Sequence, residues 1–187
     1  KEGNMPRFTR EFCHNTESVQ RLSQVQYLSF QKKYIFLQLL LGAGFVLAAL
    51  SGRLDGAAGV MCCLFGCWLL ISWRQIPKFR AGKLVKECGG SFWRTAFCFE
   101  EKSLRVTNKG GNTALFYDKI VRLSEDGAYD YLFVSKEGAY MLPKEEGAAE
   151  EAFQSFLSQK TGLEWLPVKN AFLISFKQLR KERKNTR

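Results

Sequence analysis

Histidine is almost missing from this 187-residue sequence, where His14 is the only one. Its neighbour Cys13 does not complete a catalytic dyad, because adjacent residues on an extended chain point to opposite faces. A zinc centre takes three or four ligands, and Cys62, Cys63 and Cys67 have neither histidine nor carboxylate near them. HExxH, GxSxG and P-loop patterns are lacking, and Gly110-Gly111 is not followed by the Lys-Ser/Thr pair that would reach a phosphate. The carboxylate pairs Glu100-Glu101, Glu145-Glu146 and Glu150-Glu151 are adjacent rather than convergent, which suits solvated faces. The expectation is a protein that is not an enzyme, with no catalytic, cofactor or metal site and no small-molecule substrate. Four prolines and 16 glycines give no collagen or low-complexity bias, and 46% hydrophobic residues are too many for a disordered chain.

Charge is missing from two stretches. Tyr34 to Leu50 reads YIFLQLLLGAGFVLAAL, with Gln38 as its one strongly polar residue, and Ala57 to Trp73 reads AAGVMCCLFGCWLLISW. At about 1.5 Å per residue each run covers roughly 25 Å, close to the ~30 Å hydrocarbon core of a bilayer. Two fully buried helices of a soluble core would need a larger apolar shell than the rest of the chain offers. A cleaved signal peptide fits poorly, because the first run begins after residue 33 and a second follows at once. The pair therefore reads as a transmembrane hairpin over 34–73. Its short SGRLDG connection makes the helices antiparallel neighbours. Small residues at four-residue spacing, Gly44, Ala48 and Gly52 on the first helix and Gly59, Cys63 and Cys67 on the second, are the expected packing faces.

Basic residues orient the hairpin. Arg21, Lys32 and Lys33 precede it and Arg74, Lys78, Arg80, Lys83 and Lys86 follow it, against Arg53 alone in the loop. That bias predicts a multi-pass protein of the cell membrane with both termini in the cytoplasm. Cys13, Cys88 and Cys98 then face a reducing compartment, and no disulfide framework is implied. The formal charge of +10 is concentrated beside the apolar runs and in the tail, while residues 84–165 carry 13 acidic against 10 basic groups. A nucleic-acid-binding domain would place its basic residues on the folded part, so no nucleic-acid partner is expected.

The stretch 92–162 reads as a small folded domain. Phe97 and Phe99 alternate, then Leu104 and Val106, and Asn108 to Asn112 supply a turn. Short runs at 113–116, 120–123, 131–134 and 139–142, separated by Glu125-Asp126-Gly127 and Lys136-Glu137-Gly138, give an antiparallel meander stopped by Pro143. Ala149, Phe153, Phe156 and Leu157 then mark a helix over 146–160, ended by Thr161-Gly162. Ile120, Phe133 and Leu142 are expected beneath Phe153 and Phe156.

The motifs Phe-x-Glu-x-x-Leu-x-Val from Phe99, Tyr-Asp-Lys-Ile-Val-Arg-Leu-x-Glu-Asp from Tyr117, Tyr-x-Tyr-Leu-Phe-Val from Tyr129 and Ala-Tyr-Met-Leu-Pro-Lys from Ala139 follow two close apolar helices. In this order they resemble the YcxB-like family of bacterial membrane proteins, whose C-terminal domain is considered similar to pleckstrin-homology (PH) domains. The resemblance runs from about Phe8 to Gly162, is strongest at Leu142-Pro143-Lys144, and implies architecture and location rather than an activity. PH-like folds that bind phosphoinositides place basic residues on their first hairpin. The corresponding hairpin here, Phe97 to Val106, has Glu100 and Glu101 at its tip, which would repel a phosphate.

The resulting expectation is an α+β membrane protein. An N-terminal cytoplasmic segment (1–33) precedes the transmembrane hairpin (34–73) and a basic juxtamembrane linker (74–91). The PH-like domain (92–162) and a basic amphipathic tail (163–187) follow. Lys78, Arg80 and Lys83 in the linker, with Phe172, Phe176, Lys177, Arg180 and Lys181 in the tail, are the expected contacts to the membrane surface or to anionic lipid. The tail equally suits a helix packed on the domain or on a partner. Met5 or a residue further upstream, rather than Lys1, is the expected natural start. The expected function is a non-enzymatic membrane-tethered interaction or regulatory module whose partners are the bilayer and a protein or a second copy. An accessory subunit of a transporter or channel and an anionic-lipid sensor are the alternatives.

Overall fold

A computed structural model describes residues 7–52, 56–87, 89, 92 and 94–168. They fall into two compact units, one made from residues 19–89 and the other from residues before 19 together with those after 91.

The second unit is α+β. Strands β1 (Phe8–Cys13), β2 (Arg94–Phe99), β3 (Ser103–Asn108) and β4 (Gly111–Phe116) form an antiparallel sheet in that order. After a 3-10 turn at Tyr117–Lys119, strands β5 (Arg122–Glu125), β6 (Tyr129–Phe133) and β7 (Ala139–Pro143) form an antiparallel meander. Helix α4 (Ala148–Thr161) follows, and β8 (Trp165–Pro167) pairs in parallel with β5. Gly162 ends α4 in the left-handed conformation at φ 68°, donating its N–H to the Ser158 carbonyl, which is why glycine suits this position.

Apolar alternation builds one core between the sheets and α4. Phe97 and Phe99 of β2, Leu104 and Val106 of β3, Leu123, Leu132 and Leu142 of the meander, and Phe153, Phe156 and Leu157 of α4 are buried together with Tyr117 and Ile120. Phe8 joins them from β1, with its ring centroid 5.5 Å from Phe153 and 5.4 Å from Phe156. The Phe153 ring meets Phe99 edge-on at 4.8 Å. The two-residue strand period corrects one expected core member. Leu132 faces α4, whereas Phe133 lies on the opposite face of β6, where it stacks with Tyr131.

Two further boundaries change. Residues 8–13, expected in a separate N-terminal segment, are a strand of this domain, paired residue by residue with β2 from Phe8↔Phe99 to Cys13↔Arg94. Residues 165–167, expected in the tail, are the edge strand β8, and Trp165 donates its indole N–H to the Gln154 carbonyl at 3.0 Å. Phe172, Phe176, Lys177, Arg180 and Lys181 lie outside the described residues.

The other unit is helical. Helix α1 (Thr16–Phe30) starts at a reciprocal cap, in which the Ser18 N–H donates to Asn15 Oδ1 (2.7 Å) and the Asn15 N–H donates to Ser18 Oγ (2.8 Å). Helix α2 (Lys32–Leu50) and helix α3 (Gly56–Glu87) pack against one another. Both are long and apolar enough to cross a membrane. The expected basic linker is not a separate element, because α3 continues without a break from its apolar run through Lys86 with Pro77 inside it.

Candidate functional site

The densest polar feature of the α+β unit is a buried ionic network around Arg10. In β1, Phe8, Arg10 and Phe12 share one strand face, so a guanidinium is carried inward between two aromatic rings. Arg10 Nη2 donates to Glu150 Oε2 of α4 at 2.8 Å, and Nη1 donates to the Pro143 carbonyl at 3.2 Å. Asp130 of β6 and Glu145 stand 3.5 and 3.7 Å from the same guanidinium, whose central carbon lies over the Phe153 ring at 3.7 Å from its centroid. A second basic group completes the set. Lys144 Nζ is 2.5 Å from Glu125 of β5 and 3.8 Å from Asp130, while Gln154 donates to Glu125 (3.0 Å) and Asp130 (3.3 Å). The network thus joins β1, the meander and α4, and two basic groups face four carboxylates.

That imbalance sets the protonation of the network. Burial first, and the facing Glu150 second, push the Asp130 carboxyl up to about 8, against the weaker pull of Lys144 and Arg10. Burial also works to raise Glu150, but hydrogen bonds from Asp130, from the Glu145 N–H and from Arg10 outweigh it and hold Glu150 below the ordinary carboxylate range. Asp130 Oδ2 and Glu150 Oε1 are buried, and neither has a hydrogen-bond partner among the described residues. The opposite shifts of the two carboxyls favour a proton on Asp130, shared toward Glu150.

The residues at the β2–β3 tip are arranged differently from the expectation. Glu100 is buried and pairs with Arg105 at 2.7 Å. Glu101 pairs with Lys160, which lowers its pKa by hydrogen bond and charge, and lies 3.6 Å from Arg7. The tip is therefore an interlocked set of ion pairs rather than a bare negative point. It joins the second and third strands of the sheet, because β1 precedes it.

His14 and Cys13 form no dyad. The imidazole Nδ1 is 3.1 Å from Ser18 Oγ at the α1 cap, and the Cys13 thiol points to the carbonyls of His14 and Phe92. Burial lowers the His14 pKa.

In the helical unit the close approach of α2 and α3 is made by other small residues than the spacing suggested. Gly66 is buried, and a Cβ there would stand 2.8 Å from Val46 Cγ2 and 2.9 Å from the Gly42 carbonyl. A Cβ on Gly42 would meet Leu70 at 3.0 Å. A Cβ on Gly44 would meet nothing within 4 Å, and Ala48 and Cys67 are exposed; only Gly59 and Cys63 of the expected set are half-buried. A four-residue repeat fixes a stripe without fixing which side it faces. Gln38 adds a polar tie, donating from Nε2 to the Leu69 carbonyl (3.0 Å) and to Ser72 Oγ.

At the basic end of α3, Lys78, Arg80 and Lys83 are all exposed, and Arg80 and Lys83 have different neighbours. The Arg80 guanidinium lies over the Tyr27 ring at 5.9 Å. Lys83 stands 3.8 Å from Glu87 in an i,i+4 pair.

Residues 99–158 match the family model described as YcxB-like protein. This part of the chain is similar to YcxB-like proteins. The match takes in Glu125, Asp130, Lys144, Glu145, Glu150 and Gln154, so every carboxylate of the buried network lies in the YcxB-like segment. It leaves out β1, and with it the Arg10 that those carboxylates surround. Neither a curated protein nor a solved structure matches the chain. The residues of the network that sequence reasoning missed had one visible signal, a charged residue on the apolar face of the Phe8–Phe12 strand pattern.

Proposed function

We infer that the chain is a non-enzymatic, membrane-tethered module that presents its YcxB-like domain, read as PH-like, at the cytoplasmic face for interaction or regulation. The observation that carries this reading is where the helices are inserted. In sequence they follow β1 and precede β2, two strands paired in register from end to end, so the chain enters and leaves the helical stretch through neighbouring strands of one sheet. Three further features support it. The apolar windows of α2 and α3 are only 11% and 6% buried, and the exposed Leu37, Leu40, Leu41, Leu64, Trp68 and Ile71 call for a nonpolar surrounding. The eight-to-one basic bias favours cytoplasmic termini on a multi-pass protein of the cell membrane. The PH-like reading draws on two antiparallel strand sets followed by a closing helix. The alternative of an accessory subunit of a transporter or channel draws on Gly44 and Ala48, which the hairpin leaves on an outer face where a further span, or a second copy, packs.

Affinity capture from detergent extracts separates these readings. Partners that stay with the full chain, and also with a spliced domain in which residues 7–15 are joined to 92–168, support an interaction module. Partners held only by the full chain point to membrane assembly. Release of the chain from membranes by alkaline carbonate overturns the tether.

A further inference from the structure

Beyond its apolar run, helix α3 carries Gln75, Lys78, Phe79, Gly82, Lys83 and Lys86 around a shallow open depression. With 3.6 residues per turn these six fall within roughly 140° of the helix circumference, opposite the buried Trp73, Pro77 and Ala81. Gly82 forms the floor, and a Cβ placed there meets nothing within 4 Å. Lys78 stands one turn before it and Lys86 one turn after it. Phe79, beside the lysines, is 78% exposed, more than any other large apolar side chain of the described residues.

We propose that this depression seats the phosphate of an anionic phospholipid, with Lys78 and Lys86 as the cationic clamp, Gly82 as the floor and Phe79 as the apolar contact to the acyl boundary. The proposal rests on the membrane reading given above. Its geometry follows from depth. If the ~30 Å hydrocarbon core begins at Gly56, about 20 residues of helix carry it to Gln75. Lys78 and Phe79 then lie in the headgroup layer, which is roughly 5–7 Å thick on each side. Gly82, Lys83 and Lys86 start above that layer, roughly 10–17 Å beyond the core, but Cα–Cβ bonds tilt toward a helix N-terminus, which in α3 is the bilayer side, so the long lysine side chains lean back past Gly82 toward the headgroups. Lys83 shares its charge with Glu87, leaving Lys78 and Lys86 as the principal pair. Arg80 faces Tyr27 and takes no part, which corrects its grouping with Lys78 and Lys83. An exposed phenylalanine among lysines is poorly placed in water and well placed where acyl chains meet headgroups.

The test uses the full chain in a neutral detergent, titrated with short-chain phosphatidylglycerol or phosphatidylcholine and read by native mass spectrometry. Phosphatidylglycerol is expected to bind at least ~10-fold more tightly. Gly82→Glu, which fills open space, and the double variant Lys78→Gln/Lys86→Gln are expected to abolish that preference with unchanged helical circular dichroism, whereas Arg80→Gln keeps it. Equal binding of the two lipids, or equal loss in Arg80→Gln, overturns the proposal. Full displacement of phosphatidylglycerol by millimolar inorganic phosphate also overturns it, by showing a free-anion site. A chain that survives carbonate washing yet lacks the preference fails this inference alone; a chain that washes off fails the tether as well.

Discussion

Arg10 and Glu150 stand 140 residues apart in sequence and 2.8 Å apart in space. Their bond closes β1 against α4 and brings the N-terminal strand into a domain whose family-matched part begins only at residue 99. Removing one member of such a pair strands the other as an unpaired buried charge.

Arg10→Met is therefore expected to destabilise the α+β domain by about 3–5 kcal/mol. Denaturant unfolding of the full chain in detergent, followed by near-UV circular dichroism, checks this. Arg94→Met is the control, since it removes only an exposed pair with Glu11 and should cost less than about 1 kcal/mol. Equal effects of the two would show that burial of Arg10 contributes nothing.

Asp130 gives this stability an unusual pH dependence. Its carboxyl is raised from 3.8 to about 8, so between these values the folded state holds a proton that the unfolded chain has released. The Asp130 contribution is complete below about pH 4 and declines as pH rises through 8, with a slope of up to about 1.4 kcal/mol per pH unit. Glu150, held low, acts in the opposite sense and loses its contribution in acid. The domain is expected to be more stable at pH 6 than at pH 8, and Asp130→Asn to flatten the difference. A wild-type melting temperature that rises over this interval would contradict a protonated Asp130.

In the helical unit Gly66→Val drives a side chain into Val46 and the Gly42 carbonyl, so it is expected to separate α2 from α3 and lower the melting temperature in detergent by several degrees. Gly44→Val enters open space and is expected to change it by less than a degree or so. The reverse order would mean that the hairpin packs through its four-residue stripe.

How much of this could be read along the chain depended on the range of each interaction. The two apolar runs at 34–50 and 57–73 lie inside α2 and α3, and the expected helix at 146–160 corresponds to α4 at 148–161, because amphipathic or uniformly apolar patterns are local. The strand expected at 120–123 lies at 122–125, since Tyr117–Lys119 forms a 3-10 turn and Ile120 drops into the core after it. β1 escaped notice because its partner strand begins more than 80 residues later, across both helices. Arg10, Asp130 and Glu150 each look solvated in sequence. Only the topology brings their opposite charges together.

The same topology predicts what a fragment does. Residues 92–168 alone lack β1, expose the edge of β2 and leave Asp130 and Glu150 without Arg10. This fragment is expected to be unfolded or aggregated. The spliced domain, with residues 7–15 joined to it through a short linker, is expected to melt cooperatively. A fragment that folds as well without β1 would remove the split-domain description.

The central claim is a domain on the cytoplasmic side whose first two strands bracket a membrane hairpin. The most direct measurement labels intact cells with a membrane-impermeant thiol reagent, using variants stripped of native cysteines. Each carries one new cysteine, either Leu54→Cys between the two apolar runs or Lys119→Cys on the exposed 3-10 turn of the domain. Labelling at position 54 is expected from outside, and labelling at position 119 only after the cells are opened. Labelling at position 119 in intact cells, or protection of position 54 until lysis, would contradict the claim.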